Sequence, residues 1–224
     1  MRMQESGKQK TKRPRIWFSS DHHFNHINIL NYGRNKFFSS IDEMNRALIE
    51  NHNSVVDEED EVYFLGDVVM GKRADSLPLL SKMNGRKHLI LGNHCYPHPS
   101  NKQKIIDKWT PEYAKYFESM QTELEIEITD TKVLLSHFPA TLDHANEVRY
   151  DKYRPTYDGI ILHGHLHVEG IFTEPNHIHV GIDSSWVNYG VRRYHPIPIE
   201  AIEQIITELN QPTDRPPYDT GRVY

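Results

Sequence analysis

Gly159-Ile160-Ile161-Leu162-His163-Gly164-His165-Leu166-His167 reads as an apolar strand that stops at a glycine and then presents two imidazoles, two residues apart. A short continuous apolar run bounded by glycine is the mark of a strand buried on both faces. In an extended segment residues i and i+2 project to one side, so His165 and His167 share a side. Moving outward, the same grammar returns. Arg15-Ile16-Trp17-Phe18-Ser19 ends at Asp21-His22-His23, and Glu61 to Leu65 stops at Gly66-Asp67. Lys87 to Leu91 stops at Gly92-Asn93-His94, and Lys132 to Leu135 stops at Ser136-His137.

Helical signals lie between these runs. Ser40 followed by Glu43 is a capping-box signature, and Ile41, Met44, Leu48 and Ile49 recur at helical spacing, which predicts a helix over 41–53. A short helix is expected over 76–83, with Pro78 in its first turn, and a mostly helical stretch up to about Met120. Glu123 to Ile128 and Lys132 to Leu135, joined by Thr129-Asp130-Thr131, read as a hairpin. His177 to Ile182 and His195 to Ile197 read as further short strands, and a last helix runs over 199–209. Helices alternating with short apolar strands predict an α/β fold, its buried strands largely parallel, with helices on both faces and a hairpin added. In such folds ligands gather beyond the carboxyl ends of the strands. Every Asp, Asn and His of the five strand tips falls there.

With 224 residues, 37% of them hydrophobic, the chain suits one compact domain with a sizeable core. We expect that domain over 15–210, a disordered basic leader over 1–14, and a loose C-terminal tail over 211–224. The leader gathers Lys8, Lys10, Lys12 and Arg13, with Arg15 close behind; a solvated segment and a phosphate-seeking arm both fit it. A net charge of -5 excludes the global positive field of a nucleic-acid platform. The single cysteine, Cys95, excludes an internal disulfide and fits a reducing compartment. The leader lacks the apolar core of a secretory signal, and no apolar run approaches the ~18 residues of a membrane span. A cytoplasmic protein that does not enter membranes is therefore expected.

Each strand tip alone is explained by turn chemistry; five along one sheet edge are not. Burying several carboxylates and imidazoles together without counter-charge is costly, and a pair of divalent cations removes the difficulty. The ordered set Asp21-x-His23, Gly66-Asp67, Gly92-Asn93-His94, His137, Gly164-His165-x-His167 resembles that of the calcineurin-like metallophosphoesterases, over about residues 16–167. Ser20-Asp21-His22-His23-Phe24-Asn25-His26-Ile27-Asn28-Ile29 and Val180-Gly181-Ile182-Asp183 resemble a small single-domain branch of predicted phosphoesterases, which extends the similarity to about residue 200.

The resemblance implies a four-layer sandwich, two mixed β-sheets flanked by helices, with a metal site at the carboxyl ends of the strands. It implies that Asp21, His23 and His167 hold one divalent cation, that Asn93, His137 and His165 hold a second, and that Asp67 bridges them. His94 would be the general acid, protonating the leaving oxygen. Nitrogen and oxygen ligands without thiolate suit Mn, Fe, Zn, Co or Ni; Mn is favoured because the family commonly works with it. The implied reaction is hydrolysis of a phosphodiester or phosphomonoester by a metal-bridging hydroxide. The two cations, roughly 3.5–4 Å apart, lower the pKa of the bridging water and offset the charge of the in-line transition state.

One position departs from the family pattern. An acidic residue usually follows Gly-Asn-His, and here it is Cys95. A carboxylate would orient His94 and hold its pKa up, which a thiol does weakly unless ionised. Cys95 is open to two readings, a packing residue or a redox-sensitive site. For substrate contacts, His26 could bond a phosphate oxygen or sit on a surface loop. Arg34 and Lys36 are nearby loop cations, of use to substrate or merely solvated. Trp186, Asn188 and Tyr189 could stack on a base or wall the pocket, or could fix their loop by packing. His22 is expected to be structural, and His163, His177 and His179 to be core histidines. The expected substrate is a nucleotide or other small organophosphate. A nuclease on longer strands is the alternative, against which the acidic balance argues. A non-catalytic metal scaffold is the other, and the complete ligand set argues against it.

Overall fold

The computed structural model describes residues 13–141 and 148–211. In chain order it contains β1 (Ile16–Ser19), α1 (Ile41–Asn53), β2 (Glu61–Phe64), α2 (Arg73–Ser76), β3 (Arg86–Ile90), α3 (Gln103–Tyr113) and β4 (Ser119–Gln121). There follow β5 (Glu123–Ile128), β6 (Thr131–Ser136), β7 (Ile160–His163), β8 (Phe172–Glu174), β9 (His177–His179), β10 (Ile197–Pro198) and α4 (Ile199–Leu209). The strands form two five-stranded sheets, ordered β10-β1-β2-β3-β4 and β5-β6-β7-β9-β8. Both are mixed. In the first, only β10 runs antiparallel to its neighbour; in the second, β6, β7 and β9 are parallel, with antiparallel partners at both edges.

Alternation along the strands divides the core in two. Trp17, Val62, Phe64 and Leu89 turn to one face of the first sheet and pack with Met44 and Leu48 of α1, Leu77 and Leu80, and Tyr113 of α3. Phe18, Leu65 and Ile90 turn to the other face. There they meet Val133, Leu135, Ile160, Leu162 and Ile178 of the second sheet, together with Ile202, Ile205 and Ile206 of α4. Helices alone therefore do not cover both faces of the first sheet. Its second face is buried by another sheet, giving the pair of mixed sheets flanked by helices that the resemblance implied. An apolar strand reads alike whichever layer covers it, so periodicity alone does not separate the two arrangements.

Several elements differ from their expected bounds. α1 starts as predicted, with Ser40 Oγ accepting from Glu43 N at 3.2 Å, but the Glu43 carboxylate returns to Ser39 N, at 2.7 Å, and not to Ser40 N. The expected helix over 76–83 is α2 followed by a 3-10 turn, Leu77–Lys82, with Pro78 at its start. The helical stretch stops at Tyr113, and β4 follows before Met120 is passed. β8 is unforeseen, the strand expected from His177 to Ile182 shortens to β9, and the one at 195–197 shifts to β10. Thr129 (φ 47°) and Asp130 (φ 59°) are both left-handed, the two-residue hairpin geometry that suits right-twisted strands. Most of the expected leader (1–12) and tail (212–224) lies outside the described residues. Among the described residues, no helix is long and apolar enough to cross a membrane.

Candidate metal centre

The carboxyl ends of β1, β2 and β3 and of β6 and β7 open toward the same space. β1 leads to Asp21 and His23, β2 to Asp67 and β3 to Asn93; β6 leads to His137, and β7 to His165 and His167. Five of these seven residues have left-handed backbone: Asp21 (φ 60°), His23 (53°), Asp67 (49°), His165 (74°) and His167 (53°). Such conformations are uncommon outside glycine, and a run of them where polar side chains converge is the pattern of a functional site. These left-handed steps lie at the tips of β1, β2 and β7.

Glycines at the tips make the convergence possible. A Cβ on Gly92 would stand 2.9 Å from both Asp67 Cγ and His137 Cε1, and one on Gly164 would stand 2.5 Å from Asp21 Oδ2. No side chain fits at either position, which is why glycine precedes Asn93 and His165.

One group unites Asp21, His23 and His167: their ligand atoms lie within 4.8 Å of one another, as do those of Asp21, Asp67 and His137. His23 Nε2 is 3.9 Å and His167 Nε2 4.0 Å from Asp21 Oδ1, too far for hydrogen bonds. Asp21 Oδ1 and His23 Nε2 are buried with no hydrogen-bond partner among the described residues. Two buried acceptors facing each other without a donor between them are costly, and a cation is the partner that such a trio fits. On the other side, Asn93 Oδ1 is 3.0 Å from His137 Nε2, Asp67 Oδ2 is 3.4 Å from it, and the His165 ring centroid is 5.1 Å from that of His137. All seven expected ligands are thus brought together, with Asp67 and Asp21 between the two histidine groups.

The outward nitrogens are already engaged, which fixes which nitrogen faces inward. His137 Nδ1 donates to the Leu65 carbonyl at 2.7 Å. His167 Nδ1 donates to Asp183 Oδ2 at 2.9 Å. His23 Nδ1 pairs with His26 Nδ1 at 3.0 Å. Burial holds His23 well below the usual histidine range, leaving it neutral with a free lone pair. Burial alone would raise the Asp67 carboxyl, but the charge and hydrogen bond of His137, with His94 and His23 behind, hold it well below the usual carboxylate range. His94 stands at the mouth: its backbone N donates to Asp67 Oδ1 at 2.9 Å and its ring centroid is 5.6 Å from that of His23. Its carbonyl accepts from the buried Arg73 at 2.7 Å.

A model of the calcineurin-like phosphoesterase superfamily domain matches residues 15–188. The chain belongs to that superfamily. As a calcineurin-like phosphoesterase it is a hydrolase of phosphate ester bonds; the family implies divalent metal ions, and the ligand groups fit them. It is 37% identical over 182 residues to the Gene 66 protein of Mycobacterium phage L5, covering 75% of this chain and 86% of that one. A Methanocaldococcus jannaschii protein, MJ1445, is 31% identical over 198 residues, 86% of this chain and 91% of its own. Among solved structures, that of the Aquifex aeolicus protein AQ665 superposes with a TM-score of 0.62 at 25% identity, covering 86% of this chain and 99% of the other.

The substrate contacts expected of this phosphoesterase are corrected at several positions. Arg34 is not a solvated loop cation; it is 2% exposed, with Nε and Nη2 on the two Asp183 oxygens at 2.9 and 2.7 Å. Its fork is used up inside the protein. Trp186 is 2% exposed in the core between the sheets, with its ring nitrogen on Ser184 Oγ at 3.0 Å, so it is a packing residue and offers no face to a base. Tyr189 turns to α4 and donates to Glu208 at 3.0 Å. Asn188, exposed on the same 3-10 turn, has no hydrogen bond to the ligand cluster among the described residues. His26 is half-buried, engaged with His23 through one nitrogen only. His163 is a satisfied core histidine, with bonds to the Gly164 carbonyl and Thr173 Oγ1. His177 and His179 are buried beside it, but neither is satisfied: His177 Nδ1 and both ring nitrogens of His179 have no hydrogen-bond partner among the described residues.

Asp183 was missed as a working residue. The signal was present, since Val180-Gly181-Ile182-Asp183 repeats the apolar-run, glycine, acid grammar of the other tips.

Proposed function

We propose that this chain is a two-cation hydrolase of a phosphodiester or phosphomonoester, acting on a nucleotide or another small organophosphate, with Asp21, His23 and His167 on one cation, Asn93, His137 and His165 on the other and Asp67 between them. The observation that carries this reading is the pair of partnerless buried atoms, Asp21 Oδ1 and His23 Nε2, facing each other beside His167 Nε2. Bound there, divalent cations supply an activated water and neutralise the phosphate charge; Mn suits the nitrogen and oxygen ligands, as do Fe, Zn, Co and Ni. His94, its backbone held by Asp67 and Arg73, would protonate the leaving oxygen. His26, whose second nitrogen is not tied to His23, would bond a phosphate oxygen. The test is turnover of a chromogenic diester and monoester with added Mn, with and without chelator. Asp67→Asn and the chelated wild type should both lose turnover. Chelator-resistant turnover, or an Asp67→Asn chain as fast as wild type, would remove the metal centre from the reaction.

A further inference from the structure

We infer that Arg34 and Asp183 are positioning residues that assemble one of the two cation sites, that of Asp21, His23 and His167, and leave the other untouched. The inference rests on the proposed metal centre. Arg34 is buried and its donors go to four oxygen acceptors: both Asp183 oxygens, the Asp21 carbonyl from Nη2 at 2.6 Å, and the His22 carbonyl from Nη1 at 2.8 Å. Asp183 Oδ2 accepts in addition from His167 Nδ1 at 2.9 Å. One ion pair therefore grips the turn after β1, which carries Asp21 and His23, and the imidazole that comes from the loop after β7.

The two grips serve different ends. The Arg34 bonds fall on the carbonyls of Asp21, itself left-handed, and of His22, which lies between the left-handed steps at Asp21 and His23. They hold a backbone path that the chain would otherwise leave. The Asp183 bond fixes which His167 nitrogen faces the cation and where the ring points, the role a carboxylate plays behind a metal-bound histidine. A planar guanidinium can serve four acceptors from one position, whereas a lysine ammonium is a point donor and cannot span the carboxylate and both carbonyls. In the neighbouring group, His137 is oriented through its outward nitrogen by a backbone carbonyl, that of Leu65, and not by an ion pair. Loss of the ion pair should therefore be felt on one side of the centre.

The experiment is Mn titration of the full chain by calorimetry, paired with electron paramagnetic resonance, which separates isolated from coupled Mn. Wild type should take up two cations and show the coupled spectrum. Arg34→Lys and Asp183→Asn, each checked for folding by circular dichroism, should keep one site near wild-type affinity and weaken the other about tenfold or more, with an isolated-Mn spectrum at one equivalent. Asp183→Glu, which keeps the charge, should recover part of the loss. Asn93→Ala should weaken the opposite site, so that Arg34→Lys combined with Asn93→Ala loses both. If either single variant binds two cations within about twofold of wild type, or if the combined variant still holds one, the assignment is overturned. Asp183→Asn is nearly isosteric and decides the matter if Arg34→Lys fails to fold. A wild-type chain that binds no cation would overturn the metal centre itself, a result distinct from unaltered two-site binding in the variants.

Discussion

At the scale of single residues, the position after Gly92-Asn93-His94 shows how a local environment decides between readings of one side chain. Cys95 is 2% exposed and belongs to the core under the first sheet. Burial first, and the nearby Asp67 charge second, push its thiol up to about 12. A thiol that stays protonated and out of reach is a poor nucleophile, which favours packing over redox sensing. In the native protein at pH 8, Cys95 should react with a thiol reagent such as 5,5′-dithiobis(2-nitrobenzoate) only as fast as the chain opens, and at once in denaturant. Prompt native labelling would reverse the assignment. The Cys95 sulfur accepts from Gly92 N at 3.4 Å. The backbone N and carbonyl of His94 are held by Asp67 and Arg73, and its ring lies against that of His23.

At the scale of elements, what the sequence made legible was whatever carried its own signal. α1 had a cap and a 3.6-residue period, and both its ends fall where predicted. The five strand tips were legible because a polar ligand type followed an apolar run each time, after glycine at three of them and after serine at the other two. β4 and β8 were not, because three residues of mixed polarity hold no period; β4 exists because β3 offers it a register through His88, Leu89 and Ile90. Trp186, Arg34 and Asp183 were misread or missed for one reason. A side chain on a loop is assigned by what lies across from it in space, here α4, the Asp21 turn and His167, and none of these is near in the chain.

α1 also carries a buried histidine with a consequence for stability. Burial lowers the His52 pKa to about 4, although the Asn84 carbonyl, 3.0 Å from Nε2, acts the other way. The unfolded chain takes up this proton near pH 6.5 and the folded chain only near pH 4, so the unfolded state binds more protons between those values. The stability His52 lends is complete above about pH 6.5 and is lost as pH falls toward 4, by on the order of 3 kcal/mol. Denaturant unfolding at pH 7 and pH 5 should show a steep loss in wild type and a shallower one in His52→Gln. Equal slopes in the two chains would remove His52 from the acid sensitivity.

At the scale of the whole molecule, the candidate ligands are divided between the layers. Asp21, His23, Asp67 and Asn93 follow strands of one sheet, while His137, His165 and His167 follow strands of the other. Apolar packing around Phe18, Leu65 and Ile90, which is not directional, joins the layers, and hydrogen bonds such as those from His137 to the Leu65 carbonyl and from His165 N to Asp21 cross between them near the tips. A cation drawn to both layers acts as a stitch through a quilt, and it should tighten the seam as a unit. Ligand held at a hundred times its dissociation constant adds about 2.7 kcal/mol to the folded state. Peptide hydrogens at 21–26, 66–68, 92–95 and 164–168 should therefore exchange with deuterium more slowly once Mn is added, in concert, while the far end of the β5–β6 hairpin keeps its rate. Were the tips to slow on one layer only, the stitch would be anchored in a single ply. A phosphoesterase sewn in this way is mended by the same ions that it works with, and starving it of them would fray its architecture along with its chemistry.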